Sequence, residues 1–282
     1  MNWITDHKIP LGQWIEMMVD WLISNAAGFF DAISYSLEWL ILGLTGLLLQ
    51  CPPMLVVAFL AGLAYWLHRS VGLVIFIVLS LLLIANLGYW EEMIETVVLV
   101  LMATFLCILF GIPLGIFAAH YPRFHIAIRP VLDLMQTVPT FVYLIPTLIL
   151  FGLGVVPGLI STIIFAIAAP IRLTALGISN VPEELLEAGK AFGATRWKLL
   201  FRVELPAAMP SIMAGVTQCI MLALSMVVIS ALVGADGLGK PVVRALNTVN
   251  ISQGFEAGLA IVLVAIILDR LCKQRETKDV NP

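Results

Sequence analysis

Charge is scarce in this chain. Only 12% of its 282 residues are Asp, Glu, Lys or Arg, against 61% hydrophobic, and the mean hydropathy is +1.05. Soluble globular domains carry about a quarter charged residues, so that class is excluded. The net charge of −3 says little about partners, because nearly all charge is confined to loops and ends, and no nucleic-acid partner is expected. Cysteine is scarce as well. Cys51, Cys107, Cys219 and Cys272 lie in apolar runs without paired spacing and are read as small core residues. His7, His68, His120 and His125 lack metal-ligand spacing and are placed at the membrane interface; no metal site is expected. No set of His, Asp and Ser clusters for chemistry, which argues against an intramembrane enzyme. The opening MNWITDHKIP has no basic region followed by an apolar core, so no cleaved signal is expected.

What the chain does have is long apolar runs. Seven are near the length a bilayer demands, at about 54–68, 71–89, 93–119, 132–152, 155–178, 209–234 and 255–272. Lipid offers no partners for backbone N–H and C=O, so these runs are helices. Gly111-Ile112-Pro113-Leu114-Gly115 is expected to kink the third. Residues 1–50 differ. Trp14, Met17, Met18, Trp21, Leu22, Phe29 and Phe30 alternate with Glu16, Asp20 and Asp31, which suits an amphipathic helix in the membrane surface. The stretch 33–49, carrying Glu38, reads as a second surface helix or as an eighth span, the surface reading being preferred. With seven spans, Arg69, Arg123, Arg129, Lys190, Arg196, Lys198, Arg202, Lys273, Arg275 and Lys278 fall on one face; Glu91, Glu92 and Glu95 fall on the other, with the exceptions Lys240 and Arg244. The excess of Lys and Arg puts the first face, the C-terminus and the tail 273–282 in the cytoplasm and the N-terminus outside.

One cytoplasmic stretch gathers much of the charge. Val181–Pro206 contains Glu183, Glu184, Glu187, Lys190, Arg196, Lys198, Arg202 and Glu204, and is long enough for two short helices. Pro182 suits a first helical turn, with Glu183 and Glu184 beside the positive end of the dipole. Leu185, Leu186, Ala188, Gly189 and Phe192 form an apolar stripe at helical spacing. Gly193 is expected to break this helix, Thr195 to cap a second one running to Leu205, and Pro206 to stop it. An apolar ridge flanked by charge is built to be gripped by another protein.

Glu187-Ala188-Gly189, three residues, Gly193, nine residues, then Val203-x-Leu205-Pro206 resembles the EAA loop of bacterial ABC importer permeases. One departure is Gly189, where that family usually has Ala. It is expected to loosen the helix by up to about 1 kcal/mol. The resemblance implies an all-α integral-membrane transmembrane domain over 51–272, in the bacterial cytoplasmic (inner) membrane. It also implies that the 181–206 loop docks on a separate cytoplasmic ATPase through Leu185, Leu186, Glu187, Ala188, Gly189, Phe192, Gly193, Leu205 and Pro206. ATP and Mg²⁺ would be bound by that partner and no cofactor by this chain. An extracytoplasmic solute-binding protein, a second copy of the chain and membrane lipid complete the implied partners.

Two further motifs narrow the resemblance. Asp133, Gln136 and Thr137 share a helix face at the start of the fourth span, ahead of Pro139-x-Phe141-x-Tyr143-x-x-Pro146. Such a face fits either a solute pathway, with helix breaks at Pro139 and Pro146, or plain packing, with Asp133 paired to Arg129. Phe141 and Tyr143 can offer π faces to a cation or simply fill a core. The second motif surrounds Ser225 in Leu222–Gly234, followed by Asp236-Gly237-Leu238-Gly239; Ser225 and its small neighbours permit close helix packing. With Leu268-Asp269-Arg270, these resemble the permeases for glycine betaine, proline betaine and choline, most of all the choline type. Gly234-x-x-x-x-Gly239-Lys240 mimics a phosphate loop, but Pro241 stands where Ser or Thr must hold Mg²⁺, and the segment follows a membrane span rather than a strand. It is not an ATP site. An ion-driven secondary transporter is the competing class. It calls for internal symmetry and ionisable residues in mid-span; no clear repeat is visible, and the charges are read as lying at span ends, Asp133 aside.

Overall fold

The structure, a computed structural model, describes residues 10–273 and is helical almost throughout. The expectations for the first nine residues and for Arg275, Lys278 and the rest of the tail after Lys273 lie outside the described residues. Helix α1 covers Leu11–Gln50, 40 residues in two helical stretches that meet at a kink at Ala26 (φ −129°, ψ 15°). The corner at Cys51-Pro52 leads into α2 (Pro53–His68), and α3 (Val71–Asn86) follows, its first turn capped by the Ser70 hydroxyl accepting from the Leu73 N–H. At 16 residues each, α2 and α3 reach about 24 Å, short of a ~30 Å hydrocarbon core.

Helix α4 (Trp90–His120) crosses with 31 residues and stays helical through Pro113. Gly115 also serves packing: a Cβ there would lie 2.7 Å from the Ile171 carbonyl oxygen. The expected single span at 132–152 is two pieces. Helix α5 (Pro122–Thr137) meets a short 3₁₀ turn (Thr140–Tyr143) and α6 (Leu144–Phe151) at 105°. Proline disfavours helix at the residue before it, and Val138 is extended (ψ 132°). The Tyr143 hydroxyl donates to the Leu134 carbonyl across the bend, at 3.3 Å. Pro146 makes no break, because in the first turn of α6 its missing N–H has no role.

Helices α7 (Val155–Ala166) and α8 (Ala168–Ser179) form one crossing, interrupted at Ile167 because Pro170 has no N–H to offer Ala166. After the 181–206 segment come α11 (Leu205–Ser230), the short α12 (Gly239–Thr248) and α13 (Ile251–Cys272); α9 and α10 belong to the loop and are described below. By length and composition five helices qualify as spans, or six with the bent pair, among the described residues.

Helices α4, α8 and α11 form the centre. A Cβ on Gly215 of α11 would lie 3.2 Å from the Pro170 Cα, so these backbones touch where small residues allow it. Cys107 and Cys219 are buried there with Ala166, as expected, but Cys51 is exposed, its thiol directed at the Leu47 carbonyl. Large apolar side chains such as Trp66 and Phe105 face outward, as lipid permits.

The contacts sort the loops into two ends. At one, His68 Nε2 is 2.9 Å from the Lys273 carbonyl and His120 pairs with Glu204. The α2–α3 corner, the end of α4, the 181–206 loop and the end of α13 therefore share it. At the other, the Leu238 N–H donates to the Thr96 hydroxyl and the Gly154 N–H to the Val233 carbonyl. Glu91, Glu92 and Lys240 lie at that end.

Candidate functional site

The loop forms α9 (Glu183–Ala191) and α10 (Arg196–Leu199). Glu183 and Glu184 occupy the first turn of α9 and Lys190 the last, matching the dipole. Gly193 ends it at φ +75°, with the Ala194 N–H donating to the Gly189 carbonyl. The Thr195 hydroxyl caps α10, accepting from the Lys198 N–H. Pro206 stops nothing. A π turn over Leu200–Glu204 runs straight into α11, with the Leu205 N–H reaching back to the Leu200 carbonyl. That wider turn carries an extra residue and leaves Pro206 in a first turn, where proline fits.

Of the ridge residues, Leu185 is 47% and Phe192 93% exposed; Leu186 is half-buried, and Glu187 and Ala188 are exposed. Gly189 faces the rotatable end of buried Leu199, whose Cδ1 would lie 2.6 Å from a Cβ placed there. Leu205 turns inward, against the cluster of Ile178, Ala208 and Ile212 that Ile112 and Ile116 of α4 also join. Two residues of the surface escaped the sequence reading. Trp197 and Phe201 stack at 6.0 Å between ring centres and are 71% and 61% exposed. Their i, i+4 spacing in a charged segment was the available signal. With Leu185 and Phe192 they make four large side chains left open on one loop.

The second group gathers beside the bend. Asp133 accepts from Arg172 Nη2 at 2.7 Å, so its partner is on α8 and is not Arg129. Arg172 corrects the view that charge sits only at span ends: it lies within the 155–179 crossing. The sequence displayed it openly, as a lone cation in an apolar run. A cleft of about 500 Å³ surrounds the pair, lined also by His125, Arg129 and Ser179. Arg172 Nε is buried without a partner. Gln136 is half-buried and Thr137, exposed, donates to the Leu134 carbonyl. Phe141 is 57% exposed, while Tyr143 is half-buried and engaged with Leu134. Ser225 is exposed and donates within its own helix to Met221, next to Met226, which packs on Leu144 of α6. The six residues thus do not form one wall. Asp133 lines the cleft with Arg172; Phe141, Tyr143 and Ser225 lie nearer the bend. No group of three His, Cys, Asp or Glu converges as a metal site among the described residues.

The fold is a bundle of spanning helices with one bent pair and a two-helix loop between crossings. The same architecture is found in the MetNI methionine ABC transporter in its inward-facing conformation. A chain of that structure aligns at a TM-score of 0.58 with 19% identity, over 64% of this chain and 91% of that one. A family model for the binding-protein-dependent transport system inner membrane component matches residues 111–272. Relatives cover nearly the whole chain. The glycine betaine transport system permease protein OpuAB of Bacillus subtilis is 45% identical over 96% of both chains. The glycine betaine/carnitine transport permease protein GbuB of Listeria monocytogenes is 45% identical, over 93% of this chain and 94% of its own. The glycine betaine/proline betaine transport system permease protein ProW of Escherichia coli is 44% identical, over 94% of this chain and 75% of its own. The chain belongs to the binding-protein-dependent transport system inner membrane components, the permeases of ABC importers, and is a non-catalytic membrane subunit.

Proposed function

We propose that this chain is the permease of an ATP-driven importer for a quaternary ammonium solute, glycine betaine or proline betaine ahead of choline. Two copies enclose the pathway, an extracytoplasmic binding protein delivers solute to the end bearing Glu91 and Glu92, and the loop end faces the cytoplasm. The solute class rests on the relatives named for betaines over nearly the full chain. The coupling role rests on one observation. The loop that resembles the EAA motif holds Leu185, Phe192, Trp197 and Phe201 open to solvent, beside the charges of α9. Apolar side chains rimmed by charge match a protein groove better than a headgroup layer. The ATPase is the occupant, and it binds the ATP and Mg²⁺.

The test is reconstitution of the complete complex in vesicles with labelled glycine betaine, proline betaine and choline. Glu187→Lys and Gly193→Val should abolish solute-stimulated ATP hydrolysis while the protein stays inserted, the second because a β-branched residue resists φ +75°. Undiminished uptake in both variants ends the coupling assignment. Uptake of choline in preference to both betaines reverses the solute order.

A further inference from the structure

The 181–206 loop is tied to the bundle by one ion pair among the described residues. His120, the last residue of α4, places Nε2 3.0 Å from Glu204 Oε2 in the π turn. The remaining pairs, Asp133–Arg172, Asp236–Lys240 and Asp269–Lys273, lie elsewhere. The geometry constrains the chemistry further. His120 Nδ1 is 2.9 Å from the Ile116 carbonyl, which can only accept, so Nδ1 carries hydrogen. Glu204 Oε2 is buried with no hydrogen-bond partner, so the two side chains meet as a close polar contact.

Its position matters more than its strength. Glu204 is 7% exposed and ends a π turn, a helical irregularity that recurs at functional sites. Trp197 precedes that turn and Phe201 lies within it; α11 begins where it ends. A displacement of the exposed ridge reaches α11 along the chain itself. It reaches α4 only across space, through Leu205 against Ile112 and Ile116 and through this contact. Apolar contacts slide, whereas a buried carboxylate set 3.0 Å from a ring that is anchored at its other nitrogen has little room to shift.

We infer that His120 and Glu204 are a positioning pair that carries movement of the 181–206 loop into α4, so that α4 and α11 move together when the ATPase acts. This rests on the coupling reading of the loop. It assigns a role to two residues outside the ridge and outside the cleft.

The experiment uses the complete complex with its binding protein and ATPase in vesicles, and reads solute delivered per ATP hydrolysed. His120→Gln keeps a polar side chain of similar reach beside Glu204 and should retain the wild-type ratio. His120→Ala leaves a buried carboxylate unpaired and should lower the amount of assembled complex. The double variant His120→Leu/Glu204→Leu removes that burial problem, since apolar pairs replace buried ion pairs well. It should assemble at wild-type level and still hydrolyse ATP, yet deliver at least about fivefold less solute per ATP, the low end of coupling between distinct sites. A wild-type ratio in the double variant overturns the inference and leaves the pair a stabilising contact. Loss of ATP hydrolysis in Trp197→Ala/Phe201→Ala tests the underlying reading separately. If that variant hydrolyses and transports normally, the loop reading fails, whatever the pair does.

Discussion

Adding one methyl group at Gly115 separates this packing scheme from a looser one. The new Cβ would sit 2.6 Å from Thr174 Cβ and 2.7 Å from the Ile171 carbonyl oxygen. Both belong to α8, and the second is backbone, so no side-chain rotation relieves it; the helices must part. Overpacking of this kind costs about 1–3 kcal/mol, against which Ala gains up to about 1 kcal/mol of helix propensity over Gly. The net expectation for Gly115→Ala is a loss of up to about 2 kcal/mol. Gly189→Ala is the matched control. Its Cβ meets only the rotatable end of Leu199 at 2.6 Å, the next atom being 3.6 Å away. The same propensity gain then leaves it neutral or up to about 1 kcal/mol more stable. The assay is reversible unfolding of the purified protein in mixed micelles with denaturant, followed by tryptophan fluorescence. Equal midpoints for the two variants would refute the close crossing of α4 and α8.

Other outcomes follow from single contacts. Val249 is a β-branched residue at φ 53°, ending α12; Val249→Gly should raise the unfolding midpoint by about 1 kcal/mol equivalent, and no change would mean the corner is relaxed. Asp133 and Arg172 are 56% and 38% exposed in their side chains. A double-mutant cycle of Asp133→Asn and Arg172→Gln should therefore give a coupling of no more than about 1 kcal/mol, and several times that would mean the cleft is dry. Tyr143→Phe removes the hydroxyl that bridges the bend and should cost about 1 kcal/mol, checked by the same unfolding assay. Trp197→Ala/Phe201→Ala should leave insertion unchanged and reduce ATPase co-purification, which an affinity pull-down measures.

The bend illustrates where sequence reading reaches and stops. Pro139 made a break expected, because the residue before proline is driven out of the helical region. Pro146 looked the same in sequence, yet it lies in the first turn of α6 and breaks nothing. The difference is whether a backbone acceptor was waiting, and only the helix start decides that. Pro206 repeats the lesson: a π turn absorbed it, so the loop feeds directly into α11. Trp197, Phe201 and Arg172 needed no structure to be noticed, since each stands out by type in its surroundings. Glu204 did need one. An acidic residue before Leu-Pro in a charged loop reads as solvated until the end of α4 is found against it.

By itself the sequence determined the solvent, the helices and the loop, because hydropathy, proline and glycine act on the nearest few residues. Lipid leaves the backbone no alternative to helix, so apolar length alone places most crossings. Tertiary structure decided which small residues touch, that Asp133 pairs with Arg172, and that α4 meets the loop through His120. Those facts depend on how helices far apart in the chain are turned about their axes. In lipid, apolar patterning sets that rotation only weakly, since hydrocarbon solvates Leu on either face. Close steric fit and a few polar bonds set it instead.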